Sequence, residues 1–412
     1  MTSARRGAVA LTGGSVLSGL LAYVLFALVT RGIGAEAAAP VSVLWTLWAL
    51  AGAAFTFPLQ HWITRSVVAG HEGEVRRAAG RVTAVVVTAA LAIGLVTWLL
   101  RERLFHRDDA WFPVLVVLVT LGSAAVGVVR GTLGGRGRFE AVGWSLVAEN
   151  GLRCVIVVAL LLAGVHDPEL HGLALAAGGL VALWPSGWRF ADTGTAHGSA
   201  FAFLGGAAAG QVVAQGVLTG GPVLLALLGG SPVEVTATFA ALALFRAPYQ
   251  VVLGALPQLT QQVTSHVLAG RLDRLRTIGR ALAGVAVVGA GLAAVFGAVA
   301  GPWLLRLVFG DSVRVSPGVA ALVAAGCTLA VANVVLMVAA LAGHGPLRVT
   351  GAWALALVAG AVAAVVLAAP APVTRTTTVF LVTEVVATAA LALAAWTSLR
   401  LGSVRPGSVS RA

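Results

Sequence analysis

Apolar runs of about 18 or more residues recur along the chain from end to end, separated by short polar stretches rich in arginine and glycine. Wound as an α-helix, a run of that length crosses a hydrocarbon layer about 30 Å thick. No water is available in that layer, so the backbone must satisfy its own hydrogen bonds, which a helix does within one segment. A closed barrel would instead show strands of about ten residues with alternating polarity, and the sequence has none. The pattern predicts about twelve spans, at approximately 7–30, 39–63, 82–100, 111–130, 141–164, 170–187, 198–229, 236–266, 281–307, 317–343, 350–369 and 377–400. The span at 170–187 is the least distinct, being short and glycine-rich. The expected fold class is all-α: a polytopic membrane protein with almost nothing outside the bilayer.

Composition agrees. Of the 412 residues 59% are hydrophobic and only 10% charged, with mean hydropathy +0.96, whereas a soluble domain carries about 25% charged residues. Residues Met1 to Arg6 precede an apolar run of about 24 residues. That is too long for a signal-peptide core and lacks a clear cleavage site, so it reads as the first span. The net charge is +12 and every basic residue is arginine. These arginines are scattered over short loops without interleaved aromatics, which argues against a nucleic-acid partner. The two cysteines, Cys154 and Cys327, lie inside apolar runs. They read as small buried side chains, not as a disulfide or metal pair.

The arginines also set the orientation. Eighteen of the 27 fall in one set of alternate loops, seven in the other, and two, Arg153 and Arg246, inside spans. Positive charge is retained on the cytoplasmic side, so both termini are expected in the cytoplasm, with the chain a multi-pass protein of the cytoplasmic (inner) membrane.

An internal repeat divides the chain. TRSVVAG at 64–70 matches TSHVLAG at 264–270, each followed by a basic loop with Arg76 and Arg276 at corresponding positions. WLLR then occurs at 98–101 and again at 303–306. Six spans per half is an even number, so the halves insert in the same orientation, as a parallel repeat. The expected domains are two six-helix bundles, 1–197 and 198–412, facing a central cavity.

No segment between spans is long enough for a soluble catalytic or nucleotide-binding domain, and no GxxxxGK[ST] phosphate loop is present. The chain is therefore not expected to be an enzyme or to need a cofactor. A membrane glycosyltransferase or polymerase usually needs a large outer loop bearing acids or arginines. The richest outer loop here, RERLFHRDDA at 101–110, is very short.

Two transporter classes fit twelve spans in two parallel halves. The major facilitator superfamily is marked by a G-x-x-x-D-R-x-G-R-R-like loop after the second span. Here that loop reads AGHEGEVRRAAGR, without an Asp-Arg pair, and the central loop is short. Four stretches carry a closer likeness: LVTRGIGAEAAAPVSVLW at 28–45, GTLGGRGRFEAVGWSLVAENGLR at 131–153, FRAPYQVVLGALPQLTQQVTSHVLAGRLDRL at 245–275 and LRLVFGDSV at 305–313. On these, the chain resembles the polysaccharide-transporter branch, the oligosaccharide-lipid flippases, of the multidrug/oligosaccharidyl-lipid/polysaccharide exporter superfamily. The resemblance implies alternating access and a polyprenyl-diphosphate-linked glycan as cargo. Membrane lipids and the polymerase or glycosyltransferases of the same pathway are implied as partners. The lipid-II-flippase branch usually has fourteen spans, more than this length supports. The drug-extrusion branch typically has acidic residues in its first and seventh spans, and here both spans lack Asp and Glu. The alternative is an ion-coupled exporter of small molecules.

Charges inside spans cost roughly 3 kcal/mol each and usually face a cavity or a partner. Four stand out: Glu149, Arg153, Arg246 and Glu384. Glu149 and Arg153 are spaced i,i+4 on the fifth span, with Asn150 and Cys154 flanking them. They form either a neutralised ion pair or a cavity-lining pair that meets anionic cargo or exchanges a proton. Arg246 lies about ten residues into the eighth span, near mid-membrane, with no acidic residue within helical reach on that span. Tyr249, Gln250, Gln258, Gln261 and Gln262 make the rest of the span polar, and Pro248 and Pro257 are placed to kink it. Glu384, on the last span, is either an ion-pair partner or a carrier of a coupling proton. Gln211 and Gln215, again i,i+4, suit an interhelical hydrogen bond or contact with sugar hydroxyls. The candidate substrate-binding set is therefore Arg246, Arg153, Gln211, Gln215 and Gln250, and the proton-coupling candidates are Glu149 and Glu384. His61 and His266 sit at cytoplasmic span ends without a nearby carboxylate or Cys at ligand spacing, so no metal site is expected.

Overall fold

The computed structural model describes residues 3–191, 212–252, 263, 272–342, 346–368 and 371–402. Every regular element among them is helical. Nine helices are long and apolar enough to cross a membrane among the described residues: 10–37, 39–68, 72–99, 111–135, 139–162, 284–309, 317–341, 348–366 and 372–397. All nine coincide with expected spans. Two shorter apolar helices, Pro168–Leu183 and Pro232–Phe245, stand where the sixth and eighth spans are expected. Most of the first half of the seventh lies outside the described residues. So do Gln211, Gln258, Gln261, Gln262, Pro257, His266, the second copy of the 64–70 motif and the 197/198 boundary.

The chain divides into two compact units, Met1–Phe239 with Arg306–Val313, and Ala240–Leu305 with Arg314–Ala412. In the first unit the elements are α1 Ser3–Ala37, α2 Ala39–Ala51, α3 Phe57–Val68, α4 Glu72–Leu99, α5 Arg101–Phe105, α6 Trp111–Gly135, α7 Phe139–Leu162, α8 Pro168–Ala177 and α9 Gly221–Leu227. Helix α10, Pro232–Phe245, begins in this unit and ends in the other. The second unit holds most of α11, Leu272–Phe309, and all of α12, Pro317–Ala342, α13, Pro346–Val366, and α14, Pro372–Gly402.

Three features of α1 to α3 lay beyond a hydropathy reading. Helix α1 runs to Ala37, with a break at Gly34, where φ is 80° and ψ 163°. It therefore takes in Glu36, beyond the expected end of the first span. Alpha-helical geometry also lapses between α2 and α3, where Gly52–Thr56 forms a π-turn and the Phe57 N–H donates to the Gly52 carbonyl five residues back. Pro58 follows directly, and its missing N–H leaves one carbonyl of the preceding turn without its usual donor.

Lipid chains are as apolar as leucine, so membrane helices associate through close packing and polar contacts. Glycine supplies the close packing here. A methyl built on Gly143 of α7 would lie 2.6 Å from the Ala10 carbonyl oxygen of α1, and one on Gly127 of α6 would lie 2.7 Å from the Thr56 carbonyl oxygen. In the second unit a methyl on Gly297 of α11 would lie 2.6 Å from the Ala320 carbonyl oxygen of α12. Hydroxyls add polar ties across helices: Thr56 donates to the Ser123 carbonyl at 2.7 Å and Thr64 to the Gly131 carbonyl at 3.1 Å.

Candidate functional site

In the first unit, the polar residues of α7 form the centre of a buried network. The Glu149 carboxylate takes one guanidinium on each oxygen: Arg153 Nη2 at 2.7 Å on Oε1 and Arg130 Nη2 at 2.6 Å on Oε2. Arg130 also donates from Nε to the Ser145 hydroxyl at 3.0 Å and from Nη2 to the Ser145 carbonyl at 3.2 Å. Arg153 donates from Nε to the Leu175 carbonyl of α8 at 2.9 Å and from Nη1 to Asn150 Oδ1 at 2.9 Å. Its guanidinium carbon stands 4.3 Å from the ring centre of Trp48 on α2, a cation–π contact that suits a desolvated arginine. Asn150 in turn donates to the carbonyl and hydroxyl of Ser18 on α1. Five helices, α1, α2, α6, α7 and α8, thus meet on one set of side chains.

All three charged members are enclosed: Arg153 is 1% exposed, Glu149 5% and Arg130 7%. Arg153 is so closely surrounded that a methyl on Gly178 would run into its guanidinium. This accounts for the glycine at the point where α8 tightens into the 3₁₀ segment Gly178–Leu183. Two guanidiniums share one carboxylate, so the network keeps a formal excess of one positive charge inside the membrane-spanning part of the unit.

Sequence reasoning paired Glu149 with Arg153 and the structure brings them together, but it assigned Arg130 to a cytoplasmic loop. The structure carries α6 to Gly135, more than a turn past Arg130, which Gly131, Gly134 and Gly135 gave no reason to expect. Cys154 is buried and donates through Sγ to the Leu21 carbonyl at 3.4 Å. Gln215 is partly buried on the helical stretch 212–219, where its carbonyl accepts from the Thr219 hydroxyl at 2.7 Å.

The second unit holds a different arrangement. Glu384 of α14 is 0% exposed, and its Oε2 accepts from Asn333 Nδ2 of α12 at 2.7 Å. The same nitrogen reaches the Glu384 carbonyl at 3.3 Å. Glu384 Oε1 and Asn333 Oδ1 are buried without a hydrogen-bond partner among the described residues. Glu384 is within electrostatic range of Tyr249 and of Cys327, and Arg246 is within range of Cys327. These five residues therefore share one neighbourhood. Arg246 is half-buried just past the end of α10, Tyr249 is buried, and Gln250 is exposed. Two acceptor oxygens without donors suit a proton or a small cation. No group of three His, Cys, Asp or Glu side chains stands together as a metal site among the described residues.

No family model matches the chain, and no curated protein matches it. Solved structures do. A multidrug resistance MATE family transporter of the MOP superfamily, in its inward-facing conformation, is similar with a TM-score of 0.67 over 97% of this chain and 100% of that one, at 13% identity. The lipid II flippase MurJ, inward closed, gives 0.62 over 96% of this chain and 90% of that one, at 8% identity. The eukaryotic MATE transporter AtDTX14 gives 0.53 over 98% of each chain at 16% identity. Identities this low speak for backbone architecture alone. The chain has an all-helical membrane fold with about twelve transmembrane helices, the architecture of the MATE transporters it matches, and MurJ shares that architecture over 90% of its own length.

Proposed function

We propose that the chain is a flippase of the cytoplasmic membrane, moving a polyprenyl-diphosphate-linked oligosaccharide, a polysaccharide precursor, by alternating access. The observation that carries this reading is the buried excess of cation in the first unit, where Arg130 and Arg153 share Glu149. A diphosphate crossing the bilayer unaided would leave water for hydrocarbon at prohibitive cost. A fold whose intramembrane charges sum to positive lowers that barrier for an anionic headgroup. Arg153 is enclosed in the state described, so Arg246, half-buried, is the first contact in this reading. Arg153, Gln211, Gln215 and Gln250 follow as the helices rearrange. The fold is shared with MurJ, whose own description is a lipid II flippase, and this supports a lipid-linked cargo. The polymerase or glycosyltransferases of the same pathway are the proposed partners.

The test is purified protein in liposomes with a fluorescent sugar on a polyprenyl diphosphate. Loss of the outer-leaflet signal to a membrane-impermeant quencher should equilibrate faster than in protein-free vesicles. Equal rates would overturn the cargo assignment.

Glu384 favours a second reading, an ion-coupled exporter of small molecules. A fully enclosed carboxyl with one donor and one open oxygen is suited to pick up and release a coupling ion. In that case an imposed proton or sodium gradient drives efflux of an organic cation dye, Glu384→Gln abolishes it, and the lipid-linked sugar does not move.

Orientation has its own check. A cysteine at Asp109 should react with an impermeant maleimide from outside intact cells, and one at Glu74 should not. The reverse pattern would invert the topology and the direction of transport with it.

A further inference from the structure

The ends of α10 and α11 that belong by sequence to the second half of the chain pack with the first unit. They do so at the end of the bundle that the arginine asymmetry assigns to the outside. Arg31 of α1 reaches across 276 residues of chain to the last turn of α11, where Nη2 donates to the Leu307 carbonyl and Nε donates to the Val308 carbonyl at 3.0 Å. The final carbonyls of a helix have no intrahelical donor and carry the negative end of its dipole, so a guanidinium satisfies both needs.

Beneath this contact, Phe309 of α11 and Phe239 of α10 close on Phe26 at ring-centre distances of 5.3 and 4.5 Å, and Phe239 stands 5.7 Å from Trp45. The Thr236 hydroxyl of α10 donates to the Ala35 carbonyl of α1 at 2.6 Å. The receiving stretch of α1 holds the non-helical Gly34 at φ 80°, a conformation that glycine adopts without strain. Gly310, at φ 97°, ends α11, and a methyl there would press on Arg31 Cγ at 3.1 Å. His106, the one non-glycine residue with positive φ among those described, faces the Gly230 carbonyl through Nε2 at 3.0 Å. Since a carbonyl only accepts, that nitrogen donates, tying α5 to the turn that precedes α10.

The geometry points to a releasable outer clasp: Arg31 and the Ala35 carbonyl hold the ends of α11 and α10, and these contacts must break when the transporter opens to the outside. The clasp rests on the alternating-access reading but not on the identity of the cargo. Its polar contacts share no residue with the buried network of Arg130, Glu149 and Arg153, so the clasp opens without breaking that network. Arg31 and Thr236 are then residues that position the gate; neither is placed to touch cargo.

The test reads accessibility without cargo. In full-length protein carrying Cys154→Ser and Cys327→Ser, a single reporter is placed by Ala35→Cys, a position 2% exposed. Its labelling by an impermeant maleimide is timed from the outer side of intact cells. Adding Arg31→Ala should accelerate labelling about tenfold, the scale set by losing hydrogen bonds from a charged donor, and Arg31→Lys should accelerate it less. Thr236→Val, which keeps shape and removes the hydroxyl, should shift the rate the same way and covers the case in which Arg31→Ala fails to accumulate. Labelling at the parent rate in well-expressed Arg31→Ala, or in Thr236→Val where Arg31→Ala is lost, overturns the clasp. Faster labelling in a protein that moves no lipid-linked sugar would leave the clasp standing and remove the cargo reading.

Discussion

Replacing Glu149 with Ala is expected to cost about 3–5 kcal/mol of stability, the range for leaving a buried charge without its partner. Here one deletion strands two guanidiniums, Arg130 and Arg153, each at most 7% exposed. Arg153 does not reach water by extending, because it is held between Trp48, Leu175 and Gly178. A neutral interhelical hydrogen bond in a membrane is worth only about 0.6 kcal/mol on average, so the charge, not the hydrogen-bond count, decides the size of the effect. In detergent, Glu149→Ala should lower the melting temperature by many degrees or leave little monodisperse protein. Glu149→Gln, which keeps one acceptor and one donor, should fall between. A Glu149→Ala protein melting with the parent would show that the two arginines are solvated after all.

A triple replacement separates structure from transport. Arg130→Met, Glu149→Leu and Arg153→Met together remove every charge and fill the space, a change that is often neutral or stabilising for buried ionic clusters. Folding should return. If the excess positive charge serves an anionic cargo, transport of the lipid-linked sugar should stay low in this well-folded protein. Transport at the parent level would make the network a structural junction and nothing more.

How much of this was legible follows from what each signal encodes. Hydropathy reports transfer into hydrocarbon, so the nine long helices fell where the apolar runs lie, and both terminal helices were found on that ground alone. It reports nothing about partners. The i,i+4 spacing of Glu149 and Arg153 disclosed one ion pair because both members lie on one helix. Arg130 comes from another helix, α6, so no spacing along α7 could disclose it. The same limit applied to Asn333, an unremarked residue of an apolar helix until α12 and α14 set it against Glu384. The weak sixth span was weak for a local reason, since Gly178 is needed for clearance around Arg153 and helical hydropathy is diluted there. Arg31 lay in a stretch singled out by resemblance, yet its partners are backbone carbonyls, which no side-chain pattern can reveal.

Arg246→Ala is expected to abolish transport of the lipid-linked sugar while leaving the amount of folded protein near that of the parent. Arg246 is half-buried beyond the end of α10, in the neighbourhood that also holds Tyr249, Cys327 and Glu384. A guanidinium there stays ionised and can meet a phosphate through two parallel hydrogen bonds. Lysine keeps the charge but lacks the planar fork, so Arg246→Lys should restore transport only in part. A structural role gives a different pattern. If Arg246 chiefly balances Glu384, Arg246→Ala should lower the yield of folded protein, and adding Glu384→Gln should recover both folding and transport. The discriminating measurement is therefore paired: melting temperature and initial rate of sugar translocation on the same preparations. A folded Arg246→Ala protein with a parent-like rate would remove this residue from the transport path. The same result for the double variant Arg246→Ala/Arg153→Ala would remove both arginines from diphosphate recognition.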